Sequence, residues 1–361
     1  MNKYLIIALS ILSFVVIAAL LLVFDMIDYA KMPAGVDKTV KILTVGKRES
    51  FNVTIANLSE AGIIKDPIRF KLLALIKRYD TKIKAGEYAL SSLMPPAVIL
   101  DMMVRGKTYL HKVTIPEGYN LRQIAAVISG AGFGTEEDFI KKTTDPSFVS
   151  NKGIEAKSLE GYIYPDTYYF PKDESVEDIV SAMVERLWAV FKPEWKERAN
   201  ELGFSIHQII TLASIIEKET GDKHERELIS SVFYNRLKKG MRLETDPTVI
   251  YGIKKFDGNI TRKHLSTKTP YNTYQIEGLP PGPIASPGYD SIKASLYPAE
   301  TPYIFFVSKN DGTHYFSANF KEHNRAVNKY QRSKDKEPLS EINSETESDA
   351  LQNNQKIQPL T

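Results

Sequence analysis

The sequence predicts an α+β protein in which an N-terminal transmembrane helix leads into a small α+β region and then a longer, mainly helical domain with a β hairpin. Three features predict it. Tyr4 to Phe24 is an uninterrupted apolar run without a charge. Between residues 41 and 133, short β-branched runs alternate with helical periodicity. From residue 135 onward, longer capped helical patterns dominate until two short strands flank Asn310-Asp311-Gly312, a hairpin signature.

The apolar run comes first. Its 21 residues carry hydroxyl groups only on Tyr4, at the very start, and on Ser10 and Ser13. At ~1.5 Å rise per residue, such a helix spans the ~30 Å hydrocarbon core of a bilayer. A cleaved signal peptide has a shorter apolar region followed by a small-x-small site. Here the chain continues Asp25-Met26-Ile27-Asp28, so the run is expected to stay as an anchor. Lys3 precedes it and two aspartates follow, which places residues 1–3 in the cytoplasm and residues 25–361 outside. Residues 25–40, with Pro33 and Gly35, read as a linker.

Lys41 to Val45 is a strand pattern, and Phe51 to Ile64 an amphipathic helix stopped near Gly62. A second helix, Pro67 to Tyr79, carries Ile68, Leu72, Leu75, Ile76 and Tyr79 on one stripe. Lys84 to Leu90 reads as a turn and strand, and Pro95-Pro96 opens a helix that Gly106 ends. Val113 to Gly118 and Leu121 to Phe133 repeat the strand, turn and helix order weakly, with two copies and no solenoid. Thr135, Ser175 and Ser205 then cap helices starting at Glu136, Val176 and Ile206. Another helix covers Glu225 to Lys239 and ends on Gly240. The Pro/Gly/Tyr-rich stretch 266–302 is long for a plain connection, as functional loops tend to be. Lys321 to Tyr330 is a final helix, and the polar tail 333–361 is expected to be disordered.

Composition removes several function classes. Charged residues make up 25% and the net charge is +3, with no basic stripe, so nucleic acid is not an expected partner. The chain has no cysteine, which excludes disulfides, thiol nucleophiles and a lipidated cysteine. None of the six histidines forms His-Glu-x-x-His, and Gly-x-Ser-x-Gly, the P-loop and Gly-x-Gly-x-x-Gly are absent. Zinc peptidases, serine hydrolases, kinases and dinucleotide enzymes all lose support.

Two carboxylates remain at the end of an apolar helix, in Leu212 to Thr220 (LASIIEKET). At 100° per residue, Glu217 and Glu219 point to nearly opposite sides. A carboxylate that continues an apolar stripe is desolvated, and one at a helix C-terminus is disfavoured as an anion; both raise its pKa toward that of a general acid. Solvation, or pairing with Arg226, Arg236 or Lys218, is the bland alternative, and periodicity does not choose between the two glutamates.

Several segments combine aromatic rings with rigid turns and hydrogen-bonding groups. They are GYIYPDTYYF (161–170, with Tyr164 and Asp166), RLETDPTVI (242–250, with Thr245 and Asp246), PYNTY (270–274, with Tyr271, Asn272 and Tyr274) and GLPPGPIASP (278–287, with Pro281). A sugar polymer is bound by flat apolar stacking together with directional hydrogen bonds. Each segment could equally be a structural connector.

Taken together, LASIIEKET (212–220), SVFYNRLKKGMRLETDPTVIYGI (231–253), PYNTYQIEGLPPGPIASPG (270–288), EGYIYPDTY (160–168) and HYFSANFKEHN (314–324) resemble the YceG-like endolytic murein transglycosylases (MltG). The likeness covers roughly residues 40–330 and leaves the C-terminal extension unexplained. It implies a membrane-proximal α+β domain at 41–110, a LysM-like glycan-binding element at 111–133 and a lytic-transglycosylase-type catalytic domain at 134–332. It also selects between the glutamates. A catalytic glutamate followed by Ser or Thr corresponds to Glu219-Thr220, with Glu217 as a neighbour. Asn235, Arg236 and Tyr251 join the residues above as substrate-binding candidates.

The activity implied is a lyase reaction on peptidoglycan. Glu219 protonates the glycosidic oxygen between N-acetylmuramic acid and N-acetylglucosamine, then takes the proton of the muramyl 6-hydroxyl as it closes on C1. Because the nucleophile belongs to the substrate, one carboxylate suffices where ordinary glycosidases use two, and the resemblance implies no metal or organic cofactor. Partners implied are glycan strands and the peptidoglycan synthesis machinery. The alternatives are a non-catalytic peptidoglycan-binding scaffold, or a muramidase that adds water with Asp246 or Glu217 as second carboxylate.

Overall fold

The computed structural model describes residues 3–253 and 256–332. The expected disordered tail, 333–361, lies outside the described residues. The chain is a mixture of helices and two-stranded antiparallel sheets, and it divides into two compact units. The first comprises Met1–Thr114, Val127–Glu136 and Thr167–Ile179; the second comprises Ile115–Ala126, Glu137–Asp166 and Val180–Thr361. The segment 111–133 is therefore shared between them.

The first unit starts with helix α1 (Lys3–Lys31), apolar and long enough to cross a membrane. It does not stop at Phe24. The stretch expected to be a linker is helical through Lys31, because Met26 is buried in the core of this unit and Tyr29 and Ala30 pack against it. Strand β1 (Lys41–Val45) pairs with β2 (Gly86–Leu90), placing Leu43 opposite Tyr88. Between them lie α2 (Phe51–Glu60) and α3 (Pro67–Lys77), and α4 (Pro96–Arg105) follows β2. Asp66 caps α3 by accepting from the amides of Ile68 and Arg69, and Pro67 occupies the first turn, where its missing N–H costs nothing. Gly106 ends α4 in the left-handed conformation, φ 70°, which glycine adopts without a Cβ penalty. Tyr88 fills the centre, fully buried, and its hydroxyl donates to the carbonyls of Lys84 and Met103.

Helix α3 has two apolar faces. Phe70, Leu73 and Ala74 enter the core, and Leu72 and Tyr79 of the stripe that dominates the sequence pattern pack against it, whereas the rest of that stripe faces outward: Ile68 is 81% exposed, and Leu75 and Ile76 are exposed as well. Strand β3 (Leu110–Thr114) pairs with β4 (Thr167–Pro171), a strand within the tyrosine-rich segment. After β3 comes α5 (Leu121–Gly130).

The second unit is mainly helical, as its capped periodicities indicate. Helices α6 (Glu136–Thr143) and α7 (Pro146–Asn151) precede β4, and α8 (Val176–Val190), α9 (Pro193–Glu201), α10 (Ile206–Glu219) and α11 (Arg226–Lys238) come after it. Two short helices, α12 (Asp246–Gly252) and α13 (Arg262–Ser266), lead into the Pro/Gly-rich stretch. That stretch contains an unexpected helix, α14 (Tyr289–Leu296), which packs along α10. Strands β5 (Phe305–Ser308) and β6 (His314–Ser317) form the hairpin, turned by Asn310 and Gly312 at positive φ, and α15 (Phe320–Val327) follows.

The segment 278–288 is a cover strapped onto α10. The amide of Ile284 donates to the buried Ser214 hydroxyl, and the carbonyl of Pro281 is hydrogen-bonded to His207. Gly161 lies beneath it with φ 81°, and a Cβ there would stand 2.4 Å from the Pro283 side chain. Gly161→Ala combines a left-handed backbone with overpacking and is expected to destabilise the protein by about 2–4 kcal/mol, measured by urea unfolding.

Candidate functional site

Helix α10 builds the site. Ser205 and Gln208 form a capping box at its start, and the residues from Ile209 to Ile216 are all buried. A helix sheathed on every side carries whatever follows its last apolar turn into the interior. The two glutamates leave it in opposite directions.

Glu217 is taken up by structure. Its Oε1 accepts from Arg226 Nη2 at 3.0 Å, and its Oε2 accepts from the amide of Gly288 at 2.9 Å. Both side chains of this ion pair are about 5% exposed. The pair ties α10 to the start of α11 and to the end of the cover segment.

Glu219 faces a different environment. Its Oε1 accepts from the Thr245 hydroxyl in a short hydrogen bond. Thr245 is fixed from behind: its amide donates to Thr273 Oγ1 at 3.0 Å, and its carbonyl accepts from Thr248 Oγ1 at 2.7 Å. The bend that presents it passes through Glu244, whose φ is 50°. Arg236, itself buried, braces that bend by donating to the carbonyls of Arg242 and Leu243 and, across to the hairpin, of Ile304. Asn235 does similar work on the carbonyls of Thr301 and Tyr303.

Beside the Glu219–Thr245 contact is a cavity of about 330 Å³. Glu219, Asp246 and Tyr274 line it together with Arg236 and Glu244, and Phe306, His314 and His323 contribute from the hairpin and α15. The Tyr274 hydroxyl donates to Asp246 Oδ1 at 2.7 Å. His314 is held by Glu225, which accepts its backbone amide at 2.7 Å and contacts Nδ1 at 2.6 Å. His323 stacks on Phe305, and burial together with the Arg236 charge keeps its imidazole below the usual histidine range. The cavity therefore combines one apolar wall with several donors and acceptors. Among the described residues no cluster of three or more histidines and carboxylates is arranged to hold a metal ion.

Burial pushes the Glu219 carboxyl up to about 7; the nearby Asp246 charge adds to the rise, while the Thr245 hydrogen bond and Arg236 oppose it. A group that titrates there is neutral in a large fraction of molecules at neutral pH, and so can both give and take a proton. Glu160 is raised to about 7 as well, again by burial, but its carboxylate is enclosed by the Tyr251 hydroxyl and the Leu121 amide and does not line the cavity. Access, and not the pKa, separates the two.

The sequence candidates divide on the same ground. The cavity brings together Glu219, Arg236, Asp246 and Tyr274, with Thr245 bonded to the first. The others lie outside its lining. Asn272 holds the carbonyls of His264, Leu265 and Thr267, Asp166 pairs with Arg186, and Tyr251 and Tyr271 pack against each other. Tyr164 is buried, with Arg186 over its ring. Glu217, Asn235 and Pro281 have the structural partners already described. Sequence reasoning overlooked Thr248, Thr273, His314, His323 and Glu225. HYFSANFKEHN carries both histidines, but no periodicity relates it to α10.

Residues 43–329, most of the chain, match the YceG-like family. The chain belongs to the YceG-like family. A relative within reach of that family, the endolytic murein transglycosylase of Bacillus subtilis (strain 168), is 36% identical over 314 residues, covering 82% of this chain and 86% of the relative. The enzyme of the same name from Streptococcus pneumoniae serotype 2 is 30% identical over 328 residues, 81% of this chain and 59% of the longer relative. A crystal structure of a yceG-like protein from Listeria monocytogenes, 35% identical, superposes with a TM-score of 0.56 over 80% of this chain and 99% of that one.

A carboxyl raised from 4.5 to about 7 makes the folded protein bind more protons than the unfolded chain within that window, so its contribution to stability is lost as pH rises through it. Glu219→Gln removes the buried charge. It is expected to be more stable than wild type at pH 8 by about 1–2 kcal/mol, discounted for the open cavity, and to match wild type at pH 4. Thermal melts at the two pH values measure this.

Proposed function

We propose that this YceG-like chain is an endolytic murein transglycosylase, a lyase that cleaves peptidoglycan strands between N-acetylmuramic acid and N-acetylglucosamine, with Glu219 as its acid and base. The observation that carries the assignment of Glu219 is a carboxyl raised by burial to about 7 yet lining an open cavity. In the first step its proton passes to the glycosidic oxygen and the C1–O bond breaks, leaving an oxocarbenium-like sugar and a Glu219 carboxylate. In the second the muramyl 6-hydroxyl oxygen bonds to C1 while its proton goes to Glu219. The carboxyl is restored, the product has a 1,6-anhydro ring, and no water is consumed.

The surrounding residues suit this cycle. The Thr245 hydroxyl donates to the carboxylate at the stage when it is charged, and Arg236 adds favourable charge from behind. Tyr274 and Asp246 form a hydrogen-bonded pair able to orient a sugar hydroxyl, and Phe306 offers a flat apolar wall. In this reading residues 111–133 are a LysM-like glycan-binding element and residues 134–332 a catalytic domain of the lytic-transglycosylase type. Helix α1 anchors the protein in the cytoplasmic membrane with residues 25–361 outside, where glycan strands are made; cutting them there limits the length of nascent strands beside the synthesis machinery. A second reading has one observation in its favour: Asp246 shares the cavity with Glu219, as the second carboxylate of a hydrolase would.

Digestion of purified glycan strands with mass analysis of the ends distinguishes these readings. Wild type is expected to give anhydro ends, and ends heavier by one water would establish the hydrolase. Glu219→Gln keeps shape and hydrogen bonding but not the proton, and should lose ~10²–10⁴-fold in rate. Turnover should fall as pH rises above about 7, where the acid form disappears. Thr245→Val removes a bond that lowers the pKa, so the midpoint of that fall should move upward. Glu217→Gln weakens the buried pair with Arg226 and should lower stability by about 1–3 kcal/mol while leaving the products unchanged.

A further inference from the structure

Helix α3 carries an exposed apolar stripe at the place where α1 leaves its apolar run. At 100° per residue, Ile68, Leu72, Leu75 and Ile76 cluster on one side, opposite Phe70, Leu73 and Ala74. Leu72 packs against the core, but Ile68 is 81% exposed, Ile76 60% and Leu75 48%, a degree of exposure that aliphatic side chains on an amphipathic helix adopt when something covers them. Basic residues border the stripe. Between residues 65 and 79 the chain has Lys65, Arg69, Lys71, Lys77 and Arg78 against the single acid Asp66. An apolar face with cationic edges is the pattern of helices that lie in the headgroup layer of a membrane.

Two contacts set the height of this helix. The Tyr29 hydroxyl donates to the Asp66 carbonyl at 2.9 Å, and Arg69 pairs with Asp25 at 3.2 Å. Moving from 66 to 69 along α3 thus means moving from 29 back to 25 along α1. Helix α3 runs back toward the apolar run that ends at Phe24, and its C-terminal half, with Leu75 and Ile76, continues in that direction. Met26 in the core of the first unit makes the junction rigid.

We infer that α3 is a membrane-surface helix: Ile68, Leu75 and Ile76 sit in the interfacial layer of the outer leaflet, and Lys71 and Arg78 lie among anionic headgroups. The first unit is thereby seated on the bilayer and does not hang from a flexible tether. This rests on the reading that Tyr4 to Phe24 crosses the membrane.

The chain has no cysteine, so a single introduced one carries a unique nitroxide label. The full-length protein is reconstituted in vesicles containing phosphatidylglycerol, with labels at Ile68→Cys, Leu75→Cys or Ile76→Cys, at Leu12→Cys within the span, and at Lys321→Cys as the water reference. Collisions with oxygen report lipid, and collisions with a water-soluble nickel chelate report solvent. The three α3 labels should be several-fold less accessible to nickel than Lys321→Cys while remaining open to oxygen. Nickel accessibility equal to that of Lys321→Cys, with Leu12→Cys still reading lipid, would overturn the inference and leave the anchor intact. Shielding from both reagents, with spin–spin broadening that unlabelled protein dilutes away, would place a second copy of the chain on this face instead. If Leu12→Cys also read water, the membrane reading itself would fall.

Discussion

Most of the second unit can be understood as what it takes to keep one carboxyl dry and still reachable. Helix α10 is buried on all sides from Ile209 to Ile216, so its final turn delivers glutamates into the protein and not to the surface. An isolated charge there would be costly, and the two glutamates meet that cost differently. Glu217 is ionically paired with Arg226. Glu219, with Arg236 only at a distance and burial as the dominant influence, responds by holding its proton more tightly. The same helix end thus supplies a structural anion and a proton donor two residues apart.

The frame around them keeps this arrangement fixed. Arg236 spends its donors on backbone carbonyls at a bend with an unfavourable φ, and that bend delivers Thr245 to Glu219. Thr248 and Thr273 fasten Thr245 from the other side. The cover segment is secured to Ser214 inside α10 and, through the Gly288 amide, to Glu217. A site held by hydrogen bonds to backbone is preorganised before substrate arrives, which matters when a single group must act first as acid and then as base.

The parts legible in the sequence are those set by local patterns. The apolar span, the capped start of α10, the Asn-Asp-Gly hairpin and the divergence of Glu217 from Glu219 all follow from spacing within a few residues. What was not legible depends on long-range pairing. Asn272 and Asn235 look like sugar-binding side chains, and nothing nearby in the sequence reveals the carbonyls that occupy them. Glu225 and His314 are 89 residues apart. Helix α14 hides in a stretch whose prolines and glycines advertise a loop. In α3 the conspicuous stripe is only partly used: Leu72 and Tyr79 pack against the core, while Ile68, Leu75 and Ile76 are exposed and Phe70, Leu73 and Ala74 on the other face are buried.

The central claim is that burial beside Thr245 and Asp246 keeps Glu219 protonated near neutral pH. Carbon-13 labelling of the glutamate side chains allows its carboxyl to be titrated directly by NMR, with the resonance assigned by its loss in Glu219→Gln. The account predicts a midpoint at about 7, close to that of the enclosed Glu160. A midpoint for Glu219 near the ordinary glutamate value of about 4.3 would contradict it, since the group would then have no proton to give at the pH where the protein works.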